Sequence, residues 1–324
     1  MTPHPIIKAL EEYEAAANIK AVAAPPFFAW REPWLARQLW LQGCVPGYSH
    51  ADFLRNVLSR LSCRGQKIAS RASAVQLKHD MTRLRAFYPD KAGGGYCVKI
   101  VQADGVTGSR MREELKLRGR LAVLGTVTIP AMRETFERGN YIYLIEDIII
   151  GRRFDFRRDA DDYIARGLPQ MVATYNKAGI TFEPLSAHFD AALPARLSGI
   201  KNIAPDFVAA LDAAFANNPA VPVSLCHGDL LPSNLCIGKD AFYLLDWDRS
   251  FTGAIARDLL RLPMKYPAQG GRVGAAVMAV LRTASGGDAA AADAQLAAYV
   301  AQRIADTPEK ALIYQSFWRR CRLA

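Results

Sequence analysis

The segment CHGDLLPSNLCIGKDAFYLLDWD, residues 226–248, limits the folds that this chain can adopt. It places acidic and amide side chains inside apolar runs that otherwise indicate a protein core. A carboxylate buried without a partner is unfavourable, so these acids need a metal, a cation or hydrogen-bond donors. The apolar runs have strand length, and GKD between LCIG and AFYLL is typical of a hairpin turn. We therefore expect Asp229, Asn234 and Asp246 at strand ends and loops, near one another.

The side-chain oxygens of Asn234 and Asp246 are of the hard type that Mg²⁺ prefers, and a magnesium site usually keeps room for water. Asp229 lies in a loop, where a carboxylate can accept a hydroxyl proton or orient the hydroxyl. The residues alone thus favour a metal site with a neighbouring base. They leave one alternative open, in which two polar hairpins carry aspartates that only cap backbone groups.

Two motifs in this segment resemble those of the kinase-like superfamily, in its aminoglycoside phosphotransferase and choline kinase branch. The catalytic-loop signature of that branch, H-G-D-x-x-x-x-N, matches His227 to Asn234, and its metal-binding segment matches LLDWD, residues 244–248. The resemblance implies that Asp229 is the catalytic base and that His227 packs the catalytic loop. It also implies that Asn234 and Asp246 hold Mg²⁺ at the phosphates of ATP.

Two further acids fit the same resemblance. Asp258 lies in the helix GAIARDLLRL after the metal motif, where the branch has an aspartate that ties down the catalytic loop. A capping role for this aspartate at the helix start is compatible with that assignment. Asp248, two residues after Asp246, is a candidate to assist the metal site.

The nucleotide site should then include a lysine in the third strand that contacts phosphates and pairs with a helical glutamate. YCVKI offers Lys99 between apolar residues of the opposite face. The following helix offers Glu113 and Glu114. We favour Glu114, because it shares one helical face with Leu117 and Leu121.

No G-x-G-x-x-G is present, but ASRASAVQL resembles the Ser-containing hairpin of this branch. The resemblance makes Ser70 and Ser73 candidates for phosphate contact, with added charge from Arg71; an ordinary hairpin turn is the alternative. YIYLIEDIIIG resembles the last strand of the small lobe and the hinge. Adenine would bond to backbone groups at three hinge positions: Glu146, Asp147 and Ile148.

A strand-rich part of the sequence is followed by a mainly helical part, which predicts an α+β protein. The resemblance implies a two-lobed protein-kinase-like fold. We expect an N-terminal helical extension over residues 1–65, a small β-rich N-lobe over 66–150 and a larger, mainly helical C-lobe over 151–324. No apolar run reaches the roughly 20 residues of a membrane helix. The start of the chain has no apolar stretch of signal-peptide length, so we predict a cytoplasmic location.

The acceptor of the phosphoryl group is less constrained. The signature reads H-G-D and D-W-D where protein kinases have H-R-D and D-F-G, which favours a small-molecule or sugar hydroxyl over a protein. The net charge is +10, and residues 51–100 hold ten Lys and Arg against three Asp. This excess, with the Arg-rich segment 151–163, suits an anionic sugar or a peripheral contact with an anionic membrane or glycolipid. Nucleic acid is not expected, because the basic stretches lack interleaved aromatic residues.

We therefore predict an ATP- and Mg²⁺-dependent phosphotransferase that moves the γ-phosphoryl group to an alcohol. One alternative is a kinase of the lipopolysaccharide or sugar type acting on an anionic acceptor at the membrane surface. Another is a non-catalytic, kinase-fold nucleotide-binding module. The sequence leaves open the acceptor, the choice of ATP or GTP, the oligomeric state and the role of residues 1–65.

Overall fold

The computed structural model describes residues 5–19, 72, 74–77, 82–90, 94–149, 151–267 and 270–322. The chain forms two compact units. The first comprises Met1–Gly119, Thr128–Phe154 and Ser233–Asp248, and the second comprises Arg120–Val127, Asp155–Pro232 and Arg249–Ala324.

The first unit contains a five-stranded antiparallel sheet with the order β1-β2-β3-β5-β4. Its strands are β1 Ala74–Leu77, β2 Arg83–Pro89, β3 Gly95–Gln102, β4 Met132–Arg138 and β5 Tyr141–Asp147. Successive side chains of a strand point to opposite faces, and residues paired across strands share a face. Lys99 of β3 is opposite Arg85 of β2 and Leu144 of β5, so these three side chains lie on one face.

Helices cover both faces of this sheet. Helix α1, Pro5–Ala16, packs Ile6 and Leu10 against the face that carries Val98 and Ile100. The Tyr88 hydroxyl of β2 donates a 2.7 Å hydrogen bond to the Glu14 carboxylate of α1. Helix α2, Gly105–Leu124, packs Met111 against the opposite face, which carries Lys99 and Val101. The rest of the predicted N-terminal extension, residues 20–65, lies outside the described residues.

A second, three-stranded antiparallel sheet completes the first unit. Its order is β10-β9-β6, with β6 Gly151–Arg153, β9 Leu235–Gly238 and β10 Phe242–Leu244. The hairpin of β9 and β10 follows the GKD turn that the sequence indicates. Because β9 pairs with β6, residues 233–248 belong to the first unit. The predicted boundary places them in the C-lobe of residues 151–324, because strand pairing between distant segments leaves no local pattern in the sequence.

The second unit is mainly helical. Its helices are α3 Phe156–Asp162, α4 Leu168–Ala178, α5 Leu193–Leu197, α6 Pro205–Asn217, α7 Ala256–Leu259, α8 Arg261–Lys265, α9 Gly271–Ala284, α10 Ala289–Asp306 and α11 Ala311–Arg322, with a π-helical turn at Tyr163–Gly167. Its small sheet has the order β11-β8-β7, with β7 Thr181–Pro184, β8 Ala220–Cys226 and β11 Phe251–Ala254. Short 3₁₀ turns occur at Leu185–Ala187, Pro232–Asn234 and Pro308–Lys310.

Helix α10 forms the core of this unit. The Asp288 side chain caps it by accepting a hydrogen bond from the Ala291 amide, which satisfies a backbone donor that the first helical turn leaves unpaired. Its buried face is rich in alanine, and small side chains let neighbouring helices approach closely.

The predicted α+β class is confirmed, with a sheet-rich first unit followed by a mainly helical second unit. Within the described part of the chain, no helix combines the length and the hydropathy that crossing a membrane requires.

Candidate active site

The predicted strand lysine forms a buried ion pair in the first unit. The Lys99 Nζ atom donates to the Glu114 Oε2 atom at 2.6 Å, and the two side chains are only 3% and 1% exposed. Glu113, the other candidate, is exposed and pairs with Lys116 one turn later at 2.7 Å. Of the two glutamates, Glu114 is therefore the one that contacts the lysine.

Glu114 also holds a second cation. The Arg118 Nε atom lies 3.3 Å from Glu114 Oε1, and its Nη2 atom lies 2.6 Å from Glu146 Oε2. Burial raises the pKa of Glu114, but Lys99 and Arg118 outweigh it and hold this pKa below its ordinary value. The carboxylate is thus kept ionised between two cations. Such a pair leaves a costly uncompensated charge when one partner is removed.

We predict that Glu114→Gln lowers the free energy of unfolding by roughly 3 kcal/mol at pH 7, because Lys99 loses its buried partner. The native pKa of Glu114 lies below the unfolded one. The contribution of ionised Glu114 to the free energy of unfolding is therefore fully present above the pKa of glutamate in the unfolded chain, about 4.3. It is lost as the pH falls through the native pKa. Urea unfolding of wild type and variant from pH 7 down to about pH 3 tests this. If the difference in unfolding free energy between wild type and Glu114→Gln stayed constant over that pH range, Glu114 would not be the ionised partner of Lys99.

The predicted metal ligands lie in the same unit. The Leu245 amide donates to the Asn234 carbonyl oxygen at 2.8 Å, which fixes the two segments against each other. Asp246 has a φ of 61°, in the left-handed region that few residues other than glycine adopt. Next to it, the buried Trp247 indole donates to the Leu244 carbonyl oxygen at 3.1 Å. A packed tryptophan thus anchors the segment in which Asp246 adopts this conformation.

Three cations of the first unit face the aspartates of the D-W-D motif. Asp246 Oδ1 lies 3.3 Å from the Arg85 Nη2 atom and 3.8 Å from the Lys99 Nζ atom. Asp248 Oδ2 lies 4.0 Å from the Arg83 Nη1 atom. Burial, followed by the charge of Asp246, raises the pKa of Asp248. Neither arginine was among the predicted site residues, although R-L-R-A alternates charged and apolar residues as a half-buried strand does.

These residues fit a magnesium ion that a nucleotide brings with it. Asp246 and Asn234 offer one carboxylate and one amide oxygen, and protein-bound Mg²⁺ usually keeps water and phosphate oxygens as its other ligands. In the described ranges, no group of three or more His, Cys, Asp and Glu side chains is placed to hold a metal. One carboxylate and one amide oxygen suit an ion whose other ligands are phosphate and water oxygens.

The H-G-D segment lies in the second unit, after β8. Asp258 of α7 accepts hydrogen bonds from the His227 amide at 2.5 Å and the Gly228 amide at 2.8 Å, and the Tyr175 hydroxyl donates to it at 3.3 Å. Burial raises the pKa of Asp258, while His227 and the backbone donors act in the opposite direction. Asp258 thus holds the loop through its backbone, as the resemblance implies.

The turn at Gly228 requires glycine. Its φ is 79°, and a Cβ atom there would lie 2.0 Å from the Arg249 carbonyl oxygen, far inside van der Waals contact. The next amide, of Asp229, donates to the Nδ1 atom of the fully buried His227 at 3.3 Å. The buried imidazole therefore helps to orient the candidate base.

Asp229 has a cationic partner that no sequence motif indicates. The Arg261 Nη2 atom lies 2.5 Å from Asp229 Oδ1, and the arginine and aspartate side chains are 32% and 19% exposed. Arg261 opens α8, three residues after Asp258. The two partners are 32 positions apart in the chain, so no local pattern indicates the contact.

The predicted hinge residues are the last two residues of β5, Glu146 and Asp147, and the residue after it, Ile148. The amides of Asp147 and Ile148 donate to the carbonyl oxygens of Ala131 and Gly95 at 2.9 and 3.1 Å, so backbone hydrogen bonds hold this segment in place. The Asp147 side chain pairs with Arg133. The candidate phosphate-loop residues Ser70, Arg71 and Ser73 lie outside the described residues.

Comparisons with known proteins extend this description. Among curated proteins, none matches the chain in sequence. Similar solved structures include a choline kinase from Streptococcus pneumoniae, at 14% identity, which covers 85% of this chain and 100% of that one with a TM-score of 0.42. A choline/ethanolamine kinase family protein from Mesorhizobium loti has 17% identity, 84% and 100% coverage and a TM-score of 0.40. A glucosamine kinase has 14% identity, 86% and 83% coverage and a TM-score of 0.46.

Residues 151–310 match the phosphotransferase enzyme family. This segment contains both motifs on which the resemblance was based and the whole of the loop held by Asp258. The match confirms the predicted branch and the predicted class of enzyme, a phosphotransferase with a hydroxyl group as acceptor. Over residues 151–310, just under half of its length, the chain therefore resembles the phosphotransferase enzyme family.

Proposed function

We propose that this phosphotransferase uses ATP with Mg²⁺ and transfers the γ-phosphoryl group to a hydroxyl of a small molecule or sugar. The observation that carries the proposal is the group formed by Lys99, Glu114 and Asp246. The lysine is buried, 2.6 Å from one carboxylate and 3.8 Å from the other. This combination of a strand lysine, a helix glutamate and a metal-binding aspartate is the one that phosphoryl transfer in kinases uses.

The roles of the chain's own residues follow from this proposal. Asp229 accepts the proton of the acceptor hydroxyl. A bond forms between the hydroxyl oxygen and the γ-phosphorus, while the bond from that phosphorus to the bridging oxygen breaks and ADP leaves. Lys99 and bound Mg²⁺, held by Asn234 and Asp246, would offset phosphate charge. His227 and Asp258 orient the loop that carries the base.

Calorimetric titration with ATP, with and without Mg²⁺, tests the nucleotide site. We expect wild type to bind ATP only weakly without the metal, and Asp246→Ala to lower the affinity for MgATP about tenfold or more, because a metal ligand is lost. Asp104→Ala, which removes an exposed acid of the same unit, serves as the matched control and should bind like wild type. Wild type that binds neither ATP nor GTP with Mg²⁺ would refute the proposal.

The non-catalytic alternative makes a different prediction. A nucleotide-binding module would bind MgATP in the same titration, yet form no phosphorylated product with any hydroxyl compound. The same calorimetric titration, carried out with GTP in place of ATP, shows which of the two nucleotides the protein binds. A cytoplasmic location and contact with an anionic membrane surface stay predictions that rest on the sequence.

A further inference from the structure

A row of cations runs along the helical segment beside the candidate base. Arg257, Arg261 and Lys265 are spaced four residues apart in α7 and α8. The helical hydrogen bonds continue from α7 into α8. The Leu260 amide donates to the Ala256 carbonyl oxygen, and the Met264 amide donates to the Leu260 carbonyl oxygen, each at 3.0 Å. Side chains four apart lie on the same helix face. The three cations therefore share one face, and we call them the cationic row.

A fourth cation comes from α10. Tyr299 of that helix is buried, and burial raises its pKa to about 12, although Arg261, Arg303 and Arg257 all act to lower it. The helix that carries Arg303, α10, contacts α7, which carries Arg257. The Arg257 guanidinium lies over the Phe251 ring at 5.2 Å, and Arg303 pairs at 3.5 Å with the half-exposed Asp306.

Two acids beside the cationic row, Asp229 and Asp258, offset part of its charge, and each is engaged with protein groups. Asp258 is buried and accepts hydrogen bonds from the catalytic loop. Asp229 engages one nitrogen of Arg261, while the Arg261 Nε atom is buried without a hydrogen-bond partner. About a third of the Arg261 side chain stays exposed, at 32%. A guanidinium offers five N–H donors. The buried Nε atom is out of reach of a ligand, so it is the exposed part of Arg261 that offers donors to a second anion beside Asp229.

We propose that the acceptor is a hydroxyl compound that carries an anionic group, a phosphate or a carboxylate, and that Arg261 is the residue that selects it. The inference rests on the proposed function, in which Asp229 binds the reacting hydroxyl. Arginine binds both kinds of anion through paired hydrogen bonds. An acceptor with an amine close to its hydroxyl would instead meet repulsion from the cationic row, and repulsion of the wrong ligand is one source of specificity.

Three sugars with matched hydroxyl groups test this inference: glucose 6-phosphate, glucose and glucosamine. Saturation-transfer NMR titrations measure their binding to the full chain without nucleotide. We expect glucose 6-phosphate to bind about tenfold more tightly than glucosamine, with glucose between them. Arg261→Gln should weaken the binding of glucose 6-phosphate about tenfold while changing that of glucose less than about twofold. Arg261→Lys, which keeps the charge but lacks the paired donors, should retain only part of the preference.

Matched variants separate selection from a general loss of structure. Arg272→Gln removes an exposed arginine of the same unit that pairs with Asp161, and it should leave all three affinities unchanged. Arg257→Gln should reduce the preference by a smaller factor. Binding of all three sugars with equal affinity, preference for glucosamine, an equal effect of Arg261→Gln on each sugar, or no binding of any sugar would overturn the inference.

The two proposals fail in different measurements. The titration with ATP tests the nucleotide site of the first unit and needs no acceptor. The sugar ranking tests the cationic row of the second unit and needs no nucleotide. If the protein fails to bind MgATP but ranks the sugars as expected, the proposed function is refuted. If it binds MgATP but does not rank the sugars as expected, the anionic acceptor is refuted.

Discussion

Replacing Asp229 by Asn is expected to lower kcat by roughly 10²- to 10⁴-fold, the range for removing a positioned general base. The amide keeps the size of the side chain, but it accepts no proton from the acceptor hydroxyl. Binding of MgATP should stay unchanged, because the residues that we assign to it lie in the first unit. The measurement is ADP release with an acceptor from a hydroxyl-compound screen, together with calorimetric binding of MgATP.

Asp212→Asn provides the control for this substitution. Asp212 lies on the exposed side of α6 in the same unit, so the same change of charge there should leave kcat within about twofold of wild type. If Asp229→Asn retained most of the transferase activity, Asp229 would not be the base, and the proposed mechanism would be wrong.

Gly228→Ala should cost about 3 kcal/mol or more of folding free energy, since it adds strain at a positive φ and an overpacked contact. The new methyl carbon would lie 2.0 Å from the Arg249 carbonyl oxygen, and a backbone atom cannot move aside as a flexible side chain can. Relief of the clash would displace the neighbouring Asp229, so phosphoryl transfer should fall as well. Urea unfolding and ADP release measure the two effects.

Gly119→Ala is the matched comparison. Gly119 lies in α2, and a Cβ atom there meets nothing within 4 Å. Alanine is the better helix former, so this variant should gain roughly 0.5–1 kcal/mol of stability. Equal stabilities of the two variants would show that the backbone at Gly228 relaxes freely, against the tight loop described above.

Some of the candidate site was predictable because it follows local periodicity. The alternation of β3 separates Lys99 from Val98 and Ile100, and the helical spacing of α2 places Glu114 on the buried face. Two periodic patterns that face each other across one core are enough to bring their polar residues into contact.

Other contacts depend on pairings that no local pattern records. Arg85 reaches Asp246 because β2 is aligned with β3, and the two partners are 161 positions apart. Arg261 reaches Asp229 because α8 follows the helix that holds the loop. The sequence shows the charge of each arginine, and only the tertiary structure shows which acid it meets.

The pairing of β6 with β9 has a consequence for dissecting this protein into fragments. A cut after Phe154 yields one piece without β9, β10 and Asp246, and another that carries this hairpin without β6. Neither piece contains a complete unit, so co-expressed fragments should regain nucleotide binding only by exchanging strands, as in split-protein complementation. A self-sufficient version of the first unit would need residues 233–248 joined through a new linker to residue 154, a rewired chain and not a truncation.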